Sequence, residues 1–230
     1  DEQVDEDMVR RHEAEIFPLM RKRHLFSGAT NFALYDFRSP QGGVDENVFA
    51  FSNRAGVERA VVIYNNAYNT TQGWIHTSTA VNVASADSPH LVRKSLTEAL
   101  DLRTGEADLY IFRDTRTQLQ YIRSGQKIAS EGLFAELSGY QYQAFLDWRE
   151  IHDSDGSWRR LMHLLNGAGT HDVDDSHREL QLQPVLGPLR SVVNPESLRA
   201  VNDRAITDDL REAMSPDVFL DAVTRFLGGS

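Results

Sequence analysis

Residues 47–66 read NVFAFSNRAGVERAVVIYNN, and this stretch decides the fold class. Two apolar runs rich in β-branched and aromatic residues flank a turn-forming segment at residues 54–56, a pattern that predicts an antiparallel hairpin. The second run, residues 60–64, is apolar on both faces, which is typical of a central strand that is covered on both sides. We therefore expect the hairpin to form the core of an antiparallel sheet, with Phe49 and Val62 buried.

Composition and charge narrow the class of protein. The chain has 230 residues, of which 40% are hydrophobic and 9% aromatic, so it is long enough and apolar enough for a folded core. Its formal net charge of −10 argues against binding to nucleic acid or to an anionic membrane surface, because both need a basic face. That charge is compatible with a neutral ligand such as a glycan. The chain has no cysteine, which excludes disulfides and thiolate metal sites, and no apolar run is long enough to span a membrane.

The first residues of the sequence suggest a part of a longer protein. It begins with Asp1, and its first methionine, Met8, lies inside a charged segment. We therefore expect a piece of a longer protein, and the sequence does not tell which targeting signals that longer protein carries. The sequence does not identify the compartment, and the cytoplasm is the default expectation.

Hydrophobic spacing then predicts the secondary structure up to residue 151. Residues 8–25 have helical spacing, and Pro18 inside them predicts a kink or a break. The pattern from there on indicates strands, with helices predicted at residues 91–100 and 126–134. The predicted strands are residues 31–37, 47–53, 58–66, 73–78, 108–114, 119–123 and 140–151.

The remaining pattern is helical. A short helix is predicted at residues 157–165, ended by Asn166 and Gly167, and an acidic loop is predicted at residues 172–175. Further helical pieces are predicted at residues 180–193, 195–203, 206–214 and 216–227.

These segments predict an α+β fold with three parts. We expect an N-terminal helix within residues 1–30 and an antiparallel β-sandwich in residues 31–152. Residues 153–230 are expected to form an all-helical C-terminal tail.

Three stretches resemble the C-terminal part of α-amylase-type glycoside hydrolases. The pairing of NVFAFSNR with ERAVVIYNN is similar to the first strands of the β-sandwich that follows the catalytic barrel in that family. Upstream, RHEAEIFPLMRKRHLFS (residues 11–27) resembles the last helix of the barrel. Downstream, LFAELSGYQYQAFLDWREI (residues 133–151) resembles the closing strands of the sandwich. The resemblance covers residues 8–151, and the residues beyond have no counterpart in it.

The resemblance implies a role without catalysis. Residues 1–30 would be the terminal helix of a catalytic barrel that the chain lacks, and the barrel of the parent chain would be the partner. Hydrolysis needs a nucleophilic and an acid/base carboxylate. The family sets them in motifs such as Gly-x-Arg-x-Asp and Asn-His-Asp, and neither occurs here. The chain alone is thus expected to be a non-catalytic C-terminal part, without a cofactor, of an α-glucan-active hydrolase or glucanotransferase.

The alternative is a free carbohydrate-binding or interaction module. Tyr64, Tyr68 and Trp74 surround a polar loop that contains Asn66. Aromatic faces beside amide groups suit the C–H faces and hydroxyl groups of sugars, so these four residues are the candidates for binding a ligand such as an α-glucan. A structural role explains the tryptophan at position 74 equally well: Trp74 would pack into the sandwich or against the barrel.

Two acidic groupings also have structural explanations. Asp147 and Glu150 could act as a glycosidase pair, but an edge ion pair between Asp147 and Arg149, two residues apart, is favoured. Residues 171–177 contain two histidines and three aspartates, yet their spacing matches no calcium loop and no zinc-binding helix. We expect a solvated loop with helix-start acids and no metal site, and a metal-dependent enzyme is the third class considered.

Overall fold

The computed structural model describes residues 4–82, 90–192 and 217, with residues 185–192 as backbone only. The chain divides into two compact units, Asp1–Val173 and Asp174–Ser230. The helical elements are α1 Glu6–Arg11, a π-helical turn His12–Ile16, α2 Phe17–Arg21, α3 His24–Ser27, α4 Leu96–Leu100, α5 Gly125–Glu131, α6 Ser157–Leu165 and α7 Val173–Val192. The strands are β1 Ala33–Tyr35, β2 Val48–Ala55, β3 Glu58–Asn65, β4 Thr71–Ile75, β5 Val81–Asn82, β6 Leu91–Val92, β7 Asp108–Asp114, β8 Gln120–Ser124, β9 Leu133–Leu137 and β10 Tyr142–His152.

The first unit is built on a six-stranded antiparallel sheet. Its strand order is β1-β2-β3-β10-β7-β8, so the predicted hairpin β2–β3 lies inside the sheet, with β3 against β10 at its centre. Two further antiparallel pairs, β4–β9 and β5–β6, stand beside this sheet. The mixed α+β class with mostly antiparallel strands is therefore confirmed.

One face of the six-stranded sheet carries the main hydrophobic core. Val61 and Ile63 of β3 share this core with Ile75 of β4 and with Leu133 and Leu137 of β9. The aromatic side chains Phe112, Phe145 and Trp148 fill the β7–β10 end, and the Phe112 and Trp148 rings stack at 4.3 Å. The sheet and the β4–β9 pair thus bury side chains in a common core, and we call the opposite side of the six-stranded sheet its outer face.

The prediction that Phe49 and Val62 lie in the core is wrong. Phe49 is 51% exposed and Val62 is half-buried, whereas their neighbours Ala50, Val61 and Ile63 are fully buried. Both strands carry apolar side chains on both faces, so the pattern alone does not say which face turns inward. The smaller side chains of β2 face the core, and the aromatic ones face outward.

The sequence predicts a kink or a break at Pro18, and the helical segment is irregular there but does not end: it continues from Glu6 to Arg21, with a π-helical turn just before α2. The π-helical turn His12–Ile16 precedes α2, and the Phe17 N–H donates to the His12 carbonyl instead of the usual residue four positions back. Proline has no N–H, and its ring displaces the carbonyl of the preceding turn, which accounts for the wider turn at this point.

Three other predictions need correction. Leu133–Leu137 is strand β9, although the hydrophobic spacing predicts a helix that extends to Phe134. Gly132 ends α5 with a φ of +79°, a conformation that favours glycine, and the chain then alternates buried and exposed side chains as a strand. The helix predicted at residues 91–100 is confined to α4, because residues 91 and 92 pair in β6.

The third correction concerns the acidic loop predicted at residues 172–175. Asp174 and Asp175 lie in the first turn of α7, where carboxylates are favourable to the helix dipole. The helix continues to Val192 without interruption. The helix predicted at residues 157–165 coincides with α6, and Asn166 and Gly167 end it in left-handed conformations. The helices predicted at residues 195–203, 206–214 and 216–227 lie outside the described residues, apart from residue 217.

Candidate functional site

An aromatic pair stands on the outward side of the β4–β9 strands. Trp74 of β4 and Phe134 of β9 are cross-strand partners, with ring centroids 4.9 Å apart and planes inclined by 58°. Their neighbours Ile75 and Leu133 are buried in the core, and alternation along a strand turns Trp74 and Phe134 away from it. Phe134 is 47% exposed and Trp74 is half-buried, so both rings reach the surface.

Arg38 lies beside Trp74, on the side away from Phe134, and extends the row formed by the aromatic pair. The Arg38 N–H donates to the Trp74 carbonyl and the Trp74 N–H donates to the Arg38 carbonyl, each at 2.9 Å. Gly73 permits this approach, because a Cβ on it would lie 2.2 Å from the Arg38 carbonyl oxygen. Reciprocal hydrogen bonds place the two side chains on the same face, so Arg38, Trp74 and Phe134 form one row.

A polar pair lies in the next row of the same face. Gln72 and Glu136 are cross-strand partners two residues away from the aromatic pair, and both are exposed. The Arg38 guanidinium lies 3.8 Å from the Asp36 carboxylate, which is half-buried. We call Arg38, Gln72, Trp74, Phe134 and Glu136 the β4–β9 platform.

The structure distributes the predicted ligand-binding residues over different places. The Tyr64 hydroxyl donates to Asn66 Oδ1 at 3.3 Å, so these two are together. Tyr68 is 84% exposed. Tyr64 follows the core residue Ile63 on β3, so it points to the outer face of the six-stranded sheet. Trp74 lies on β4, in the other sheet. A glycan site made by all four residues stays a prediction.

A second exposed surface lies at the N-terminal helical segment and the outer face beside it. Leu19, Leu25 and Phe26 pack against the sheet residues Ala60 and Leu146. Apolar side chains of the same segment and of the neighbouring sheet edge remain exposed. These are Met8, Val9, Ile16, Phe17, Met20, Phe32, Leu34 and Phe49. We call this set the N-terminal apolar surface.

Aromatic contacts connect the two parts of this surface. Phe51 of β2 meets Phe26 of the helical segment at 6.3 Å and Phe32 at 5.7 Å between ring centroids. Further along the face, the Tyr142 hydroxyl donates to Glu15 at 3.3 Å. Burial, with the nearby Glu15 carboxylate, raises the pKa of Tyr142 to about 12. The segment is thus attached to the sheet along several turns.

Charged groups fix the same segment to the β2–β3 turn. Glu58 lies 2.7 Å from His24 Nε2 and accepts a hydrogen bond from Lys22 Nζ at 3.2 Å. The hydrogen bond with His24, followed by that from Lys22, lowers the pKa of Glu58. Lys22 also lies 3.8 Å from Asp147. These contacts set the direction in which the helical segment leaves the sheet.

The carboxylates considered for catalysis have structural surroundings. Asp147 lies at a β-bulge with a φ of +53°, and the residue after it, Trp148, points into the core. Glu150 lies 3.3 Å from Arg103. Among the described residues, no group of three or more histidine and carboxylate side chains is placed to hold a metal ion.

Comparisons with known proteins found no similar family, protein or structure. No protein-family model, no curated protein and no solved structure matches the chain. In the described part of the chain, no helix has the length and apolar character needed to cross a membrane.

Most of the platform was missed in the sequence, although Trp74 was among the candidates. The helix predicted at residues 126–134 includes Phe134, and hydrophobic spacing predicts no strand at Glu136, although the resemblance places closing strands in residues 133–151. Arg38 reaches Trp74 only through a contact across 36 residues of sequence. The alternation in LFAEL was the available signal, since its first, third and fifth residues are buried and the other two exposed.

Proposed function

We propose that this chain is a non-catalytic C-terminal part of an α-amylase-like enzyme that acts on α-glucans, and that it supports the catalytic barrel of the parent chain. The observation that carries the proposal is the N-terminal apolar surface. Its helical segment uses Leu19, Leu25 and Phe26 to attach to the sheet and leaves Ile16, Phe17 and Met20 exposed. Exposed apolar groups of this kind mark a surface for another protein body.

The proposal includes a finer description of the fold. The six-stranded sheet and the β4–β9 pair would be the two layers of an antiparallel β-sandwich, consistent with the core that they share. The helical segment would be the end of the barrel that runs into the first layer. Residues 153–230 would form an all-helical tail, with α6 and α7 as its first members.

The ion pairs at the β2–β3 turn give the helical segment a defined direction. Glu58 holds His24 and Lys22 at the end of the segment, while the earlier turns carry the exposed apolar side chains. A barrel docked there would bury those side chains, and each fully buried leucine-sized group contributes about 1.5–3 kcal/mol. The chain would then act as a cover and a spacer for the barrel. Its own sequence carries neither of the family's catalytic motifs.

The test compares this chain with the protein encoded by its complete reading frame. Hydrogen exchange at residues 16–20 should be fast in the chain alone and at least tenfold slower in the complete protein, because docking would bury Ile16, Phe17 and Met20. The double variant Phe17→Ser, Met20→Ser should restore fast exchange at the neighbouring amides. Tyr68→Ser is the matched control, since Tyr68 is an exposed aromatic residue outside this surface. A reading frame without a barrel upstream of residue 1, or unchanged exchange in the complete protein, would overturn the proposal.

A further inference from the structure

We propose that the β4–β9 platform is a binding site for a neutral glycan chain, with a sugar ring resting on the Trp74–Phe134 pair. This surface is separate from the N-terminal apolar surface, so the inference does not rest on the proposed docking of a barrel. It assigns Phe134, Arg38, Gln72 and Glu136 to a site in which only Trp74 was a candidate before.

The aromatic pair supplies the apolar part of the site. The Trp74 and Phe134 rings are 4.9 Å apart and inclined by 58°, so together they form a bent apolar surface wider than one ring. The C–H face of a pyranose is apolar and of similar width, and such faces pack on indole and phenyl rings. The pairing of β4 with β9 holds both rings in place before any ligand arrives, which limits the entropy lost on binding.

Polar groups border the aromatic pair on two sides, within reach of a sugar that rests on it. Gln72 and Glu136 form the adjacent row, about 7 Å along the strands from the aromatic row, because every second residue faces the same side. Arg38 ends the aromatic row on the other side of Trp74. An amide, a carboxylate and a guanidinium together offer both donors and acceptors, which suits hydroxyl groups that need both.

Charge favours a neutral ligand over an anionic one. The chain has 34 acidic and 24 basic residues, so its general field repels polyanions. Within the platform, Glu136 and Arg38 carry opposite charges and flank the rings. A polyanion would gain from one of them and lose to the other, whereas a neutral glycan can hydrogen-bond to both.

The experiment titrates the chain with maltohexaose and, separately, with cellohexaose, followed by calorimetry and by the indole N–H signals in NMR spectra. The indole signal of Trp74 should shift, and the indole of Trp148, which donates to the Phe145 carbonyl inside the core, should not. Binding of either hexasaccharide supports the proposal, and a preference between them identifies the linkage. Absence of binding for both at millimolar concentration overturns it.

Variants separate this site from other aromatic surfaces. Trp74→Ala and Phe134→Ala should each raise the Kd at least tenfold. Because these two contact each other and could affect folding, Glu136→Ala and Gln72→Ala provide a second pair; both side chains are exposed, and each variant should weaken binding severalfold with an unchanged melting temperature. Tyr68→Ala is the control and should bind like the parent chain. Loss of binding in Tyr68→Ala with full binding in both Glu136→Ala and Trp74→Ala would refute the assignment.

Discussion

Replacing Ile63 by alanine tests which face of the central hairpin is the core. Ile63 is fully buried in β3, and its side chain belongs to the core that the six-stranded sheet shares with β4 and β9. The variant Ile63→Ala removes buried methyl and methylene groups and leaves a cavity that a central strand cannot easily close. We expect a loss of about 2–5 kcal/mol in the free energy of unfolding.

Phe49→Ala is the matched comparison in the partner strand. Phenylalanine has the larger side chain, but half of it already faces solvent, and its removal leaves no closed cavity. Half of the transfer energy of a fully buried phenylalanine amounts to about 1 kcal/mol. Ile63→Ala should therefore lower the free energy of unfolding more than Phe49→Ala does, although isoleucine is the smaller residue. This is the reverse of what the hydrophobic pattern of the sequence predicts.

Urea unfolding followed by tryptophan fluorescence measures both values. All three tryptophans lie in residues 1–173, so the signal reports on the unit that contains the hairpin. With a slope of about 2 kcal/mol per molar urea, a loss of about 3 kcal/mol moves the midpoint by roughly 1.5 M, and a loss of about 1 kcal/mol moves it by roughly 0.5 M. Equal shifts, or a larger shift for Phe49→Ala, would refute the assignment of the two faces.

Three further predictions concern pH and the N-terminal segment. Hydrogen bonds, first the one with His24 and then the one from Lys22, lower the pKa of Glu58 from its ordinary value of 4.5. The carboxylate therefore contributes fully to the free energy of unfolding above pH 4.5, and this contribution is lost as the pH falls through the lowered pKa. Glu58→Gln should reduce the dependence of the melting temperature on acid pH. Burial raises the pKa of Tyr35 from 10.0 to about 12, so stability should fall as the pH rises through that interval, and a flatter alkaline limb is expected for Tyr35→Phe. Deleting residues 1–12 should leave the urea midpoint nearly unchanged, whereas deleting residues 1–26 should lower it, because only the longer deletion removes the side chains packed on the sheet; equal midpoints would contradict this.

Local signals allowed much of the fold to be predicted from the sequence. The turn-forming segment predicted at residues 54–56 and the apolar runs beside it identify the β2–β3 hairpin, although β2 continues to Ala55 and the chain turns at Gly56 and Val57. Asn166 with Gly167 marks the end of α6. These features depend on backbone preferences within a few residues. Strand β9 is not among the strands that hydrophobic spacing predicts, although the resemblance places closing strands in residues 133–151. Leu133–Leu137 is short and follows a helix directly, and its pairing with β4 depends on residues far away in the sequence.

The platform was harder to predict for the same reason. Trp74, Phe134 and Arg38 come from three separate segments, and only the register of the pairs places them in one row. The sequence shows an aromatic residue in each strand but not the register between the strands. The close approach at Gly73 is visible only when the Arg38 carbonyl is in place.

The hairpin itself gives a physical argument for the proposed docking on the outer face. A strand that is apolar on both sides requires cover on both sides, and β3 has the shared core on one side. On the other side, the chain's own helical segment covers the end near Ala60, where Leu25 packs. Further along that face Phe49 remains exposed, and so does Leu34 of the edge strand. The sheet therefore carries more apolar outer surface than the segment conceals, and the exposed side chains of the segment continue that surface. A second body that covered both would complete what β3 requires, and this is the physical basis of our proposal that a barrel docks on this face.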